Sequence, residues 1–293
     1  MRYQVCSAAL RVVISITASV IGPTYIQPMT TMNNRAAWIE GPSAQCETIP
    51  EPALVAWRLI LLGAPGVGKG TQAELLHRRL RACHLSTGEV FRAAGGRADC
   101  NQSPAMKEAL GYMRRGELVP DTTVWAMVRE RKSCLKCSGG FILDGFPRTL
   151  TQAESLKELM DAEGLKLSAV VNYSLPFKEI VTRLGGRRTC EKCKAVYHIT
   201  ERPPKEEGQC DHCLGKLFQR EDDRPESIKV RLETYERSTS PLIEFYRNQG
   251  VLVEVAAVGT PDDIFEDTFT QLEAKRVREV AYKVSAAQAD RCE

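Results

Sequence analysis

Apolar residues in this chain fall into two patterns. Short unbroken runs appear at 58–63 ("RLILLG"), 139–145 ("GGFILDG") and 167–175 ("LSAVVNYSL"). Each is too short for a helix and too apolar for a strand with one wet face, so each reads as a strand buried on both sides. Stretches of ten or more residues with helical spacing lie between them. This alternation predicts an α/β fold, a parallel sheet with helices on both faces. There is no internal repeat and no low-complexity tract.

The pattern starts only after a different kind of segment. Residues 1–39 contain no Asp or Glu, but they carry Arg2, Arg11, Arg35 and many Ser and Thr. That bias is expected of an organelle address, chloroplast or mitochondrial, with an unaddressed cytoplasmic extension as the alternative. The apolar run 12–21 is too short to span a bilayer comfortably. Pro50 and Pro52 interrupt any regular element, so residues 1–52 read as an unstructured extension and 53–293 as the folded domain. The 293 residues carry a net charge of +3, too small to argue for a polyanionic partner.

The first run opens a longer signal, "RLILLGAPGVGKGTQAELLHRRL": strand, glycine loop, helix. Gly63, Gly66 and Gly68 allow a tight turn whose N–H groups converge on phosphate oxygens. Lys69 adds a full charge at the helix N-terminus, where the dipole already favours anions, and Gly70 and Thr71 follow. The loop matches the P-loop pattern with its hydroxyl residue one place late. It points to a nucleoside triphosphate but leaves open a GTPase, an ATPase or a small-molecule kinase.

Three later segments narrow the choice. In "HLSTGEVFRAA" (84–94), Thr87 and Gly88 start a helix, and Arg92 sits one turn in, able to face an anion. "RRGELVPD" (114–121) places Leu118 and Val119 in an apolar loop suited to a flat base. In "GGFILDGFPRTLTQAESL" (139–156) a buried strand ends at Asp144, where a carboxylate holds magnesium through water. Gly145 permits close approach of a ligand. Arg148 and Gln152 lie four apart, on the same face if a helix begins there, and suit an anionic group and a base edge.

Together, "GAPGVGKGTQ", "STGEVFRAA", "GELVPD", "FILDGFPRTLTQA" and "GRR…DDRPESIKVRLETY" resemble the adenylate kinase family from about Arg58 to about Glu273, in its long-lid form. The resemblance implies a P-loop NTPase-type sheet with a nucleoside monophosphate-binding insertion at 86–119 and a lid at 186–223. It implies AMP bound by Thr87, Arg92, Val119, Gly145, Arg148 and Gln152. It implies MgATP held by the glycine loop, the lid-flank arginines Arg183, Arg187, Arg220 and Arg231, and a turn at Gly259. It also implies a monomer. UMP or CMP as acceptor is the nearest alternative. The segments "GGRADCNQSPAM" and "RKSCLKCSGG" depart from the family and read as altered surface loops.

The chain has eleven cysteines, unevenly spread. Cys190, Cys193, Cys210 and Cys213 form two Cys-x-x-Cys pairs with sixteen residues between them, the spacing of a closed tetrahedral zinc site with four thiolate ligands. Such a site has no open position, so the metal is expected to be structural, stiffening the lid. A zinc ribbon that grips nucleic acid is the competing reading. However, the lysines and Arg202 within 190–213 are balanced by five acidic residues, and Tyr197 is nearly the only aromatic. The lone pair Cys134 and Cys137 reads as surface loop, and cysteines outside the set of four as free thiols in a reducing compartment. The expected chemistry is phosphoryl transfer without a general base: Lys69, Arg148, Arg183, Arg187, Arg220 and Arg231 surround the moving group. Asp144 orients magnesium, and Asp222 pairs with lid arginines as the lid shuts.

Overall fold

The structure, a computed structural model, describes residues 56–95, 104–130 and 132–289. The readings of residues 1–52, and most of the altered loop around Cys100, lie outside the described residues.

Five parallel strands form the central sheet: β1 (Trp57–Gly63), β2 (Cys83–Ser86), β3 (Gly140–Asp144), β4 (Ala169–Ser174) and β8 (Leu252–Ala256). Their spatial order is β2-β3-β1-β4-β8. The apolar runs are buried on both faces, as their composition predicts. Within β1, Ile60 and Leu62 join one core, with Leu85, Phe141, Leu143 and Val170. Leu59 and Leu61 point to the other core, with Ile142, Val171, Tyr173 and Val255. This is the two-residue alternation of a strand with no wet side.

Helices cover both faces: α1 (Lys69–Leu80), α2 (Thr87–Gly95), α3 (Pro104–Arg115), α4 (Asp121–Glu130), α5 (Leu150–Ala162) and α6 (Phe177–Gly186), then α7 (Pro225–Thr234), α8 (Pro241–Asn248) and α9 (Pro261–Ala289). A π-helical turn, Tyr235–Thr239, joins α7 to α8. β1 pairs in register with both β3 and β4, so its loop emerges beside Asp144 at the carboxyl end of the sheet. That is where open α/β sheets bind their ligands.

Three further strands, β5 (Arg187–Cys190), β6 (Val196–His198) and β7 (Leu217–Phe218), form a separate antiparallel sheet in the order β6-β5-β7. Its own core is only Cys190, Tyr197, Cys210 and Leu217, with Cys193, Ala195 and Cys213 packed alongside. So small a core does not hold a module together without a staple.

The segment around Cys134 corrects the expectation of a surface loop. Cys134 and Leu135 are buried in the main core, on a 3-10 turn (Lys132–Lys136). The β2–β3 pairing carries Cys83 to this turn, and its Sγ lies 2.8 Å from Cys137 Sγ. Cys137 is disulfide-bonded, so the reading of free thiols outside the set of four fails there. Burial pushes the Cys83 thiol up to about 11.

Candidate active site

The glycine loop turns where its sequence requires. Gly63, Gly66 and Gly68 all have positive φ, and a Cβ on Gly63 would lie 2.4 Å from the carbonyl oxygen of Tyr173. Lys69 folds back over the loop, donating to the carbonyls of Gly63 (2.7 Å) and Ala64 (2.9 Å). Burial lowers its pKa to about 7. Asp144 opposes the shift, and the charges of Arg148, Arg231 and Arg187 add to it. A triphosphate would relieve this by supplying the anion the cations lack. Thr71 lies in the first turn of α1, its N–H bonded to Gly68 O.

Asp144 ends β3 next to the loop, its Oδ2 3.6 Å from where a Cβ of Gly70 would stand. Burial alone would raise its pKa. The His84 ring, with Nε2 3.6 Å from Oδ2, and the charges of Lys69 and Arg148 outweigh it and hold the carboxyl well below its usual range. It is therefore ionised at any physiological pH. An ionised carboxylate of this kind is the hard oxygen donor that magnesium takes.

The acceptor segments meet this centre from the other side. Thr87 starts α2, as its sequence suggests, and its hydroxyl donates to Gly145 O at 2.9 Å. Arg148 Nε donates to the same carbonyl at 2.8 Å. Its carbonyl accepts from Thr239 on the π-helical turn, 2.9 Å away. Desolvation in the cleft, and then the charge of Arg231, lower the pKa of Arg148, and Arg92 contributes as well. A slot beside Arg148 is lined by Thr87, Gly88, Val119, Gly145 and Gln152, so the apolar loop and the amide fall on one cavity.

Two of the lid-flank arginines, Arg187 and Arg231, are tied by Asp223, the neighbour of the carboxylate expected to pair with them. Asp223 is completely buried. It accepts from Arg187 Nε (2.7 Å) and Nη2 (2.5 Å), and from Arg231 Nη1 (2.9 Å). Asp222, expected to play this part, pairs with Arg231 alone, at 3.2 Å. Arg220 Nε donates to Thr189 Oγ1 at 3.0 Å; burial, then Arg92 and Arg187, depress its pKa. Arg183 stands apart from this knot, with Nε 3.7 Å from Glu201 Oε2. The turn at Gly259 (φ +104°) is brought near the loop because Gln72 of α1 donates to Pro261 O at 2.8 Å. Lys69, Asp144, Arg148, Arg187 and Arg231 therefore share one electrostatic neighbourhood.

In the lid, the four sulfurs of Cys190, Cys193, Cys210 and Cys213 all lie within 4.8 Å of one another. Cys190–Cys213 and Cys193–Cys210 are each 3.5 Å apart. Tetrahedral Zn–S bonds of about 2.3 Å require sulfur separations of about 3.8 Å, so the set fits the metal. Cys190 Sγ accepts backbone N–H bonds from Lys192 and Cys193, and Cys210 Sγ from His212 and Cys213. Lys194 and Leu214, just after each pair, both have positive φ. Each pair is thus a knuckle shaped to present thiolates. His212 is exposed and outside the set.

Comparison with known proteins identifies the family. The family model described as adenylate kinase matches residues 61–251. The adenylate kinase of Thermodesulfovibrio yellowstonii is 46% identical over 218 residues, 74% of this chain and 100% of that protein. That of Caldicellulosiruptor saccharolyticus is 48% identical over 217 residues, 74% of this chain and 98% of its own length. That of Streptomyces coelicolor is 46% identical over 208 residues, 71% and 94% of the two chains. Since the family match spans more than half of the sequence and whole relatives fit inside it, the chain belongs to the adenylate kinase family and is a phosphotransferase acting on nucleoside monophosphates.

Proposed function

We propose that the chain catalyses MgATP + AMP ⇌ 2 ADP, with ATP on the glycine loop and AMP in the slot beside Arg148 and Gln152. The observation that carries this reading is the meeting of Lys69, Arg148, Arg187, Arg231 and Asp144 between those two places. The attacking atom is an AMP phosphate oxygen. That phosphate has lost most of its protons at neutral pH, its second pKa being about 6, so no general base is needed. Lys69 leaves the loop carbonyls for the phosphates. Arg148 spans the two nucleotides, with Arg92 and Thr87 on the AMP phosphate side. Arg187, Arg220 and Arg231 come in with the lid and offset the charge of the transferring group, and Arg183 lies over the ATP side. Val119, Gly145 and Gln152 hold the AMP base and its approach, and Gly259 borders the ATP base. Thr71 and, through water, Asp144 would hold magnesium with ATP, and the ion would supply charge compensation on the phosphate oxygens. Cys190, Cys193, Cys210 and Cys213 would hold zinc, which would keep the lid rigid enough to exclude water, the competing nucleophile.

The test is a coupled assay of ADP formation by the full chain with AMP, CMP or UMP as acceptor, with metal content measured on the same sample. Preference for CMP or UMP would overturn the assignment of AMP. The same reading makes the protein a monomer without nucleic-acid or membrane partners. Among the described residues no helix is long and apolar enough to cross a membrane. The acid-poor residues 1–39 are proposed as an organelle address, and following residues 1–52 fused to a fluorescent reporter checks that.

A further inference from the structure

Gln152 is buried at 4% exposure, and both ends of its amide are held. Its Oε1 accepts from the backbone N–H of Arg148 at 2.8 Å. Its Nε2 donates to Asp121 Oδ1 at 2.6 Å. Asp121 is fixed in turn, because its other oxygen accepts the Thr149 hydroxyl at 2.9 Å. Thr149 is the N-cap of α5 and accepts from the Gln152 N–H at 3.2 Å.

The two partners of the amide cannot exchange roles. A backbone N–H only donates, and a carboxylate only accepts. A free glutamine is nearly symmetric: by flipping, it offers a base either donor-acceptor order. Here a flip would set N–H against N–H at Arg148 and oxygen against oxygen at Asp121. The orientation is therefore dictated by chemistry, and one N–H and one oxygen lone pair remain for the slot.

We infer that Asp121 is a specificity-determining positioning residue, locking the Gln152 amide so that the acceptor site reads a 6-amino purine and refuses a 6-oxo purine. This deepens the assignment of AMP as acceptor and rests on it. Adenine offers an acceptor at N1 beside N–H donors at N6. Hypoxanthine and guanine offer the reverse, N1–H beside O6. The amide as held complements the first and opposes the second. A site whose buried polar groups are left unpaired by the wrong base discriminates far more strongly than one that merely measures size.

The experiment compares kcat/KM for AMP and IMP, acceptors of equal charge and nearly equal shape, in wild type, Asp121→Asn and Asp121→Ala. Asparagine can either accept from or donate to the amide, so it removes one of the two restraints, leaving only the Arg148 N–H, while still bonding Thr149. The AMP:IMP ratio is expected to be large in wild type. It should fall at least about tenfold in Asp121→Asn, with kcat for AMP changing less than KM. A role confined to holding α4 against α5 would slow both acceptors alike, and an unchanged ratio overturns the inference. Equilibrium binding of AMP and IMP to wild type needs no folded variant; affinities within threefold of each other overturn it as well. A wild-type protein that forms no ADP from ATP and AMP would defeat the AMP reading first and this inference with it. An active enzyme with an unmoved ratio defeats the inference alone.

Discussion

Asp223→Asn tests whether the lid arginines are assembled before substrate arrives. Three short hydrogen bonds from Arg187 and Arg231 end on a carboxylate with no exposure. The amide is isosteric, so no cavity opens. It carries no charge, and one of its termini must face a guanidinium donor. Removing one member of a buried ion pair costs about 3–5 kcal/mol. The arginine side chains keep 17% and 18% exposure, which argues for the low end, about 3 kcal/mol. In a domain of this size, roughly 2–4 °C is lost per kcal/mol, so Tm should fall by about 6–12 °C. The reference is Glu244→Gln, which breaks an ion pair with Arg247 at 62% and 47% exposure; such pairs contribute about 1 kcal/mol or less. The assay is thermal unfolding of both variants and wild type, each zinc-replete, with and without saturating ATP. The triphosphate supplies negative charge to the orphaned guanidiniums, so the Asp223→Asn deficit should shrink with ATP, and the Glu244→Gln deficit should not. A Tm loss for Asp223→Asn no larger than for Glu244→Gln, or a deficit that ATP leaves untouched, refutes the idea that Asp223 preassembles the anion site.

Lys69→Met and Arg148→Ala should each lose at least about 2 kcal/mol of transition-state stabilisation, measured as kcat/KM for ADP formation with unfolding curves as a control. Cys210→Ser should lower bound zinc, read by atomic absorption, and lower Tm more than the initial rate at low temperature. Gly140→Ala should destabilise the fold by at least about 2 kcal/mol in urea titration, since φ is +87° and the new Cβ would stand 1.9 Å from Trp57 O. Lys69, at about 7 in the native state against 10.5 ordinarily, binds fewer protons folded than unfolded between those values. Its contribution to ligand-free stability therefore rises with pH across that window, and Lys69→Met should abolish this slope in pH-dependent denaturation. ATP restores the charge, so calorimetry in two buffers near pH 7.5 should show proton uptake on binding.

What the sequence made legible is what the backbone encodes locally. Residues 58–63 announced a doubly buried strand because no polar residue interrupts them after Arg58. Gly63, Gly66 and Gly68 announced the loop because only glycine takes that path readily. The two Cys-x-x-Cys pairs announced their site because each knuckle is complete within a few residues. Residues whose meaning depends on a distant partner stayed hidden. Asp223 stands in the charged run "EDDR", and nothing local separates it from Asp222. Only the return of the chain from β7 into α7 puts it between Arg187 and Arg231. Cys83 and Cys137 are 54 apart in sequence, and only strand pairing brings their sulfurs to 2.8 Å.

Asp121 shows the same limit at the level of specificity. At 121 the sequence shows a carboxylate opening a helix, explained well enough by the helix dipole. At 152 it shows a glutamine, whose amide alone cannot distinguish the two base patterns. The selectivity belongs to neither residue. It arises because α4 and α5 start side by side, so that a carboxylate from one and a backbone N–H just before the other grip opposite ends of a single amide. On the reading proposed above, acceptor choice in this protein is set by the hydrogen-bond polarity of the residues that hold the reader as much as by the reader itself. Exchanging those polarities, Asp121→Asn with Gln152→Glu, keeps the Arg148 and Thr149 bonds satisfied and presents only acceptors to the slot. Such a double variant should fold with near-normal Tm yet lose its preference for AMP. A double variant that kept the wild-type AMP:IMP ratio would place the discrimination elsewhere in the slot.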